Sequence, residues 1–373
     1  MKIVMFYHSL LSDWNHGNAH FLRGVATELI ERGNDVEIYE PENNWSFSNL
    51  VKDHGEDAVE EFYRYYPLLK SATYRLSAFD FDKVLSGADL VIVHEWNEHQ
   101  LVKALGEKKK KYGYKLLFHD THHRAVSERA SMAAYDLRHY DGVLAFGDVI
   151  TNIYLQEQWT QHAWTWHEAA DTRLFKPLAA DKLEGDLVWI GNWGDEERSR
   201  ELFAFLIEPV QELGLRATIY GVRYPLHARA ALKKAGIHYG GWLPNYKVPE
   251  VFSRYRFTVH VPRRPYVEKL PGIPTIRPFE AMACGIPLLS APWNDSEGLF
   301  RPGKDFLFVQ NKKEMVEQMQ QVLTSEEKVR QMTASGLETI RQHHTCAHRV
   351  DQLYSICKEL GVRHLEEMST MKA

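Results

Sequence analysis

The strongest constraint in the sequence is a repeated alternation of short, continuous apolar runs with segments of helical periodicity. The runs at 2–7 (KIVMFY), 36–39 (VEIY), 89–94 (DLVIVH), 115–118 (KLLF) and 142–146 (GVLAF) form a first series. A second series follows at 187–191 (LVWIG), 216–220 (RATIY), 237–239, 257–261 (FTVHV), 287–290 (PLLS) and 306–309 (FLFV). A run that is apolar at nearly every position buries both faces, which is the condition of a strand inside a parallel sheet covered by helices. Two such series imply an α/β protein with two Rossmann-like, doubly wound parallel-sheet domains. A chain of 373 residues also suits two cores better than one.

The stretch 167–177 (HEAADTRLFKP) lies between the series and combines turn chemistry with a proline stop. It divides the chain into an N-terminal domain at 1–170, a second domain at 171–345 and a C-terminal helical segment at 346–373. That last helix, near 346–360, places Val350, Leu353, Tyr354 and Cys357 on one face. Two doubly wound domains in series leave an interdomain cleft at the carboxyl ends of their sheets, where such folds take ligands. The stretch 41–80 reads as inserted helices. Its Trp45, Phe47, Phe62, Tyr63, Tyr65, Tyr66 and Tyr74 are either core or a stacking platform for an acceptor.

Composition excludes several classes. A net charge of -5 argues against broad attraction to nucleic acid. The four lysines at 108–111 end a predicted helix, where cations complement the dipole and face solvent. Cys284, Cys346 and Cys357 have no metal-ligand spacing and make no disulfide framework, which suits a reducing compartment. The start of the chain lacks a signal-peptide pattern, and no apolar stretch reaches the ~20 residues of a membrane span. A cytoplasmic protein without a transmembrane segment is expected.

Chemistry concentrates at 274–293. Residues 279–285 (FEAMACG) read as a short helix from about Pro278, ending on a glycine cap before the strand at 286–290. Free backbone N–H groups at such a helix start can seat phosphate. A carboxylate one turn in, Glu280, can accept hydrogen bonds from ribose hydroxyls, although acids in a first turn also serve as dipole compensation.

This segment, 275–287 (TIRPFEAMACGIP), resembles the nucleotide-sugar motif of GT-B glycosyltransferases of the family-4 type. There a Glu-x7-Glu pair sits before and within a Phe-Glu-Ala-Met-Ala-x-Gly-x-Pro sequence. The second Glu matches Glu280, which the resemblance makes the ribose ligand; the first falls at Gly272, a departure that removes the usual acidic contact to the sugar. The Arg before the helix and the Cys-Gly after it look closest to the spore-maturation CgeB-like branch. The resemblance puts Arg277 beside the phosphates, with Pro278 and Phe279 in the same donor segment; a structural ion pair is the other reading of Arg277.

Residues 190–198 (IGNWGDEER) resemble the family's first strand and loop of the second domain, where an Arg and a Lys bind the diphosphate. Asn192 takes the Arg position and Arg198 the Lys position, so Arg277, Arg263 or Arg264 would share the charge. Gly17, in 16–21 (HGNAHF), stands where the family carries a glycine-rich loop. His119 matches a histidine near the donor sugar, and its neighbour Asp120 is either an acceptor base or a helix cap. His122 and His123, being adjacent, are expected to point in different directions, and no metal is expected there. The histidines at 343, 344 and 348 match no zinc spacing and read as structural. The linker's Asp171, Phe175 and Pro177 match the family's interdomain segment.

The implied protein is a GT-B glycosyltransferase of hexosyltransferase type, with the C-terminal helix crossing back to the first domain. It moves a sugar from a nucleotide-diphosphate donor to an acceptor hydroxyl or amine on a small molecule, glycan, protein or nucleic acid. No cofactor and no essential metal are expected. A GT-B nucleotide-sugar epimerase and a non-catalytic nucleotide-sugar or glycan-binding protein are the alternatives, the latter because Gly272 and Asn192 replace two charged residues.

Overall fold

The computed structural model describes residues 1–362. The chain divides into two compact units, Met1–Glu168 joined by the C-terminal stretch from Cys346, and Ala169–Thr345. The remainder of the expected C-terminal segment, 363–373, lies outside the described residues.

The first unit is built on seven parallel strands: β1 (Lys2–Phe6), β2 (Asp35–Pro41), β3 (Ser71–Tyr74), β4 (Leu90–His94), β5 (Lys115–Asp120), β6 (Gly142–Ala145) and β7 (Ala163–Thr165). They run in the order β3-β2-β1-β4-β5-β6-β7. In the register of the central strands, Ile3 lies beside both Val36 and Leu90, and Val93 beside Phe118. Every residue of β4 is buried, as its unbroken apolar run requires.

The edge strands were not readable. β3 (SATY) and β7 (AWT) are short and partly exposed, because an edge strand needs no continuous apolar run. The stretch 41–80 therefore holds the helices Trp45–His54 and Asp57–Tyr65 and also a strand, which corrects the all-helical expectation. Its aromatics divide accordingly. Phe62 and Tyr74 are core residues, Tyr74 packing edge-on against Phe6, while Trp45 keeps 47% of its surface exposed.

The helix Cys346–Glu359 is part of this unit and packs on the first helix, Ala19–Glu31. Val350, Leu353, Ile356 and Cys357 are buried, and Tyr354 accepts a 2.6 Å hydrogen bond from Asn34. Arg349 donates to the His167 carbonyl at 2.8 Å, and Trp166 Nε1 donates to the Arg349 carbonyl at 2.8 Å. These bonds tie the segment after β7 to the C-terminal helix.

The second unit has six parallel strands: β8 (Gly185–Ile190), β9 (Ala217–Tyr220), β10 (His238–Gly241), β11 (Tyr255–His260), β12 (Leu288–Ser290) and β13 (Leu307–Phe308). Their order is β10-β9-β8-β11-β12-β13. Leu187, Trp189, Phe257, Val259 and Leu289 form the centre of its core. In each sheet the strand order reverses once, between β1 and β4 and between β8 and β11. Doubly wound sheets bind ligands at the carboxyl ends of strands beside such a reversal.

One side chain fixes the loop that follows β1. Arg23, wholly buried on the first helix, donates from Nε to the Leu10 carbonyl at 2.8 Å and from Nη2 to the Leu11 carbonyl at 3.0 Å. Its Nη1 pairs with Asp13 at 2.9 Å, and its guanidinium lies 4.8 Å from the centre of the Phe62 ring. The Arg23 guanidinium thus braces the loop carrying His16 and Gly17, together with Ser46, which donates to the Trp14 carbonyl at 2.7 Å. Arg23→Ala strands two buried carbonyls and removes the guanidinium from Asp13, and should destabilise the first unit by about 3–5 kcal/mol, read by chemical denaturation.

Candidate functional site

The helix Ile276–Cys284 begins two residues before the expected start at Pro278, so Glu280 sits in its second turn. Thr275, at φ 59, turns the chain sharply into it, and Gly285, at φ 67, closes it in the left-handed conformation that glycine adopts without penalty. The Phe279 ring lies in the core against Phe300 and His344, and Pro278 is buried too. Neither side chain faces a ligand, so any contact they make to a donor runs through the backbone.

Glu280 is completely buried, and both its oxygens are engaged. Oε1 accepts from Asn245 Nδ2 at 2.7 Å, and Oε2 accepts a close charge-assisted hydrogen bond from Arg277. The ion pair considered for Arg277 is therefore formed. At Gly272, φ is 92 and an added Cβ would meet Glu297 Oε1 at 2.6 Å. The position where the resemblance expected a glutamate has no room for a side chain, and the Glu297 carboxylate fills that space.

The loop after β8 brings the cations together. Arg198 donates from Nη1 to the Val261 carbonyl at 2.9 Å, and from Nη2 to the Asn192 carbonyl at 2.7 Å and Asn192 Oδ1 at 3.0 Å. Its guanidinium lies over the Trp189 ring at 5.0 Å. Gly194, at φ 90, lets the Arg198 side chain cross the loop, since a Cβ there would lie 2.9 Å from Nε. Arg263 also donates to Asn192 Oδ1, at 3.1 Å, and pairs with Glu197 at 2.8 Å. Arg264 pairs with Glu201 at 3.2 Å.

Three guanidiniums, Arg198, Arg263 and Arg277, thus meet two paired carboxylates, Glu197 and Glu280. Arg198 carries the excess charge, since its hydrogen bonds go to neutral oxygens. Enclosure of its head, then Arg263 nearby, lowers its pKa to about 9. Asn192 acts as an acceptor for two arginines, a role its neutral amide fills without cancelling their charge.

The first unit holds Gly17, His119 and Asp120. Gly17 is exposed in the loop after β1, next to Asn18, which donates to the Thr121 hydroxyl at 2.6 Å. His119 is 1% exposed; its ring packs on Trp166, Phe21 and His94, and neither ring nitrogen has a hydrogen-bond partner among the described residues. Asp120 is wholly buried. Its Oδ2 accepts from Tyr154 at 2.9 Å and its Oδ1 from the His122 amide at 3.1 Å, so it caps no helix and holds the end of β5. Burial raises its pKa, and the buried Glu95, paired with Arg124 at 3.2 Å, is raised for the same reason. The chain turns after Asp120, which places the His122 and His123 rings 4.0 Å apart instead of pointing them in different directions.

Several members of these clusters were not singled out from sequence: His8, His16 and His94 in the first unit, and Asn245 and His260 in the second. His94 ends a run read as a strand and His260 lies one residue before the end of another, and the preference of ligands for carboxyl ends was the available signal. Among the described residues, no group of three or more His, Cys, Asp or Glu side chains is placed to hold a metal ion. No helix of the described residues is long and apolar enough to cross a membrane.

Residues 198–355 match a family model described as glycosyl transferase-like. No curated protein matches the sequence. Among solved structures, sucrose-phosphate synthase from Thermosynechococcus elongatus is similar at TM-score 0.67 and 14% identity, over 96% of this chain and 99% of that one. Anabaena HepE in complex with UDP gives TM-score 0.64 at 13% identity, over 96% and 100%. An α-glucosyltransferase in complex with UDP gives 0.69 at 12%, over 96% and 100%. The shared fold is that of GT-B glycosyltransferases. The family match spans 158 of the 373 residues, and at these identities the solved structures show a shared fold.

Burial of so many titratable groups has a measurable consequence. Burial lowers the pKa of His8 to about 4 and of His119 and His260 to about 3, and lowers those of His16 and His94 well below the ordinary value. The unfolded chain protonates these five first, so their contribution to stability is lost as pH falls below about 6.5. Glu40, Glu95 and Asp120, raised by burial, work in the opposite sense as pH falls toward about 4. Five outnumber three. Stability should fall between about pH 6.5 and pH 4, by up to ~1.4 kcal/mol per pH unit for each unbalanced histidine, which thermal melts would read as a falling melting temperature.

Proposed function

We propose that this protein is a glycosyltransferase that moves a sugar from a nucleotide-diphosphate donor to an acceptor hydroxyl or amine, with the donor's diphosphate held by the cations around Arg198. The observation that carries this reading is the Arg198 guanidinium, oriented by carbonyl oxygens and an amide at the β8–β11 reversal and lacking a carboxylate of its own in its hydrogen bonds. A preorganised positive charge of this kind stabilises the negative charge that develops on a leaving diphosphate. Arginine also matches phosphate oxygens bidentately.

Arg277 and Glu280 hold each other in the free protein, and the ligand would divide them. Arg277 would turn to the phosphates, and Glu280, still held by Asn245, would accept from the ribose hydroxyls. Glu297, in the space above Gly272, is the acid we assign to the donor sugar. The Thr-Ile-Arg-Pro-Phe-Glu-Ala-Met-Ala-Cys-Gly form of the segment supports a place in the CgeB-like branch of family-4-type enzymes. UDP and UDP-glucose are bound in solved neighbours of this fold, which makes uridine the first base to test. Arginines supply the charge that a metal would otherwise bring, so no metal is assigned to the donor. Three buried free thiols, Cys284, Cys346 and Cys357, suit the reducing cytoplasm.

In the first unit, His119 near the carboxyl end of β5 is the residue we assign to the transferred sugar. Asp120, bonded through both oxygens, serves as a positioning group for the end of β5 and for Tyr154.

Thermal denaturation with UDP-, GDP- and dTDP-sugars tests the donor site, since a ligand at a hundred times its Kd stabilises the folded state by about 2.7 kcal/mol. One of them should raise the melting temperature, and Arg198→Ala should remove the response. A response undiminished in Arg198→Ala would take the diphosphate away from this cluster. Release of nucleoside diphosphate should depend on an added acceptor; release without one would point to an epimerase-type reaction.

A second variant addresses the ion pair. Glu280→Ala leaves Arg277 near Arg198 without its counter-charge, and should lower stability of the second unit by about 3–5 kcal/mol as well as abolish the donor-induced shift. Glu280→Gln, which keeps the shape, should fold better and bind the donor weakly.

A further inference from the structure

His260 stands at the carboxyl end of β11, in the strand next to β8 at the reversal of the second sheet. Its tautomer can be read from its neighbours. Ser290 Oγ donates to the Ala291 carbonyl at 2.9 Å, so at 2.9 Å from His260 Nδ1 it must accept. Nδ1 therefore carries the hydrogen, and Nε2 presents a lone pair. That Nε2 is buried and has no hydrogen-bond partner among the described residues. A buried polar atom left in this way costs stability unless something else uses it.

The surroundings indicate what uses it. Arg198 donates to the carbonyl of Val261, the next residue along the chain. Burial first, then the charges of Arg198 and Arg277, keep the imidazole neutral. The charged groups facing this position are Arg198 from the loop after β8 and the Arg277–Glu280 pair from the helix Ile276–Cys284, with Arg263 and Glu197 beyond Asn192. Ser290 and Trp293, from β12 and the chain after it, bring no charge. The neighbouring cations oppose protonation of this nitrogen. That opposition falls once an anion neutralises them, and the protonated nitrogen can then donate to the anion.

We infer that His260 is a further residue of the donor site, and that it takes up one proton at Nε2 when a nucleotide-sugar diphosphate binds and donates that N–H to a phosphate oxygen. The proton comes from solvent. Nδ1–H stays on Ser290, so the ring keeps its orientation while its charge changes. The imidazolium adds a positive charge next to the oxygen whose negative charge grows as the glycosidic bond breaks. This assignment rests on the diphosphate site proposed above.

Calorimetric titration of the full chain with UDP-glucose tests it, repeated in buffers of different ionisation enthalpy. If another nucleotide sugar gives the thermal response, that compound is used instead. Both ends of its diphosphate are esterified, so the ligand itself does not titrate near neutrality, and any proton taken up enters the protein. The expected result is uptake of up to one proton per donor bound, with affinity rising as pH falls from about 8 to 6, by up to about tenfold per unit. His260→Gln offers a fixed neutral N–H near the Nε2 position; it should bind with little dependence on pH and without uptake. His260→Asn can keep the Ser290 bond but has no atom at Nε2, and at about pH 6 it should bind roughly tenfold more weakly than wild type.

Binding by wild type with no proton uptake and a flat pH profile overturns the role of His260 and leaves the diphosphate site standing. Uptake that persists in both folded variants overturns it as well, by assigning the proton elsewhere. If no nucleotide sugar binds wild type, the donor-site reading fails and the inference with it. Circular dichroism melts confirm that each variant is folded, and if neither folds, the wild-type titration decides.

Discussion

Parallel strands cannot be joined by tight turns, so each needs a crossover, and the crossovers cover both faces of the sheet. The strand ends are then where polar side chains can gather without interrupting a core. Both units obey this constraint. His94, His119 and Asp120 end β4 and β5, while His260 and Ser290 end β11 and β12 and Asn192 follows β8. These polar side chains stand at positions that the sheet architecture leaves open.

The two units treat their polar groups differently. In the first, burial lowers the pKa of His94 and His119 and raises those of Glu95 and Asp120, so the charged form of each is disfavoured. In the second, arginines outnumber the acids that pair with them, and neutral oxygens of Asn192 and Val261 hold the excess cation in place.

Much of this was legible in the sequence. The eleven runs read as strands correspond to strands of the two sheets, and the helix with Glu280 lies within two residues of its expected place. The edge strands β3 and β7 were not legible, because half-covered strands carry no unbroken apolar run. His260 lay inside a run read as strand, but nothing in a one-dimensional pattern says that Ser290 would fix its tautomer or that Arg198 and Arg277 would stand nearby. The loss of a glutamate at Gly272 was visible; that Glu297 occupies its space was not, since 25 residues separate the two in the chain.

The sequence by itself determined the class of fold and the segments where chemistry would gather. Apolar periodicity and glycine caps are local properties, set by how each residue meets water and its own backbone. The tertiary structure alone decided which charges find partners outside their own helix. Arg263 meets Glu197, 66 residues away, and Arg198 is left to carbonyl oxygens, whereas the Arg277–Glu280 pair lies within one helix. Electrostatic balance depends on distance in space and on burial, and residues far apart in the chain acquire both only when the sheet closes around them.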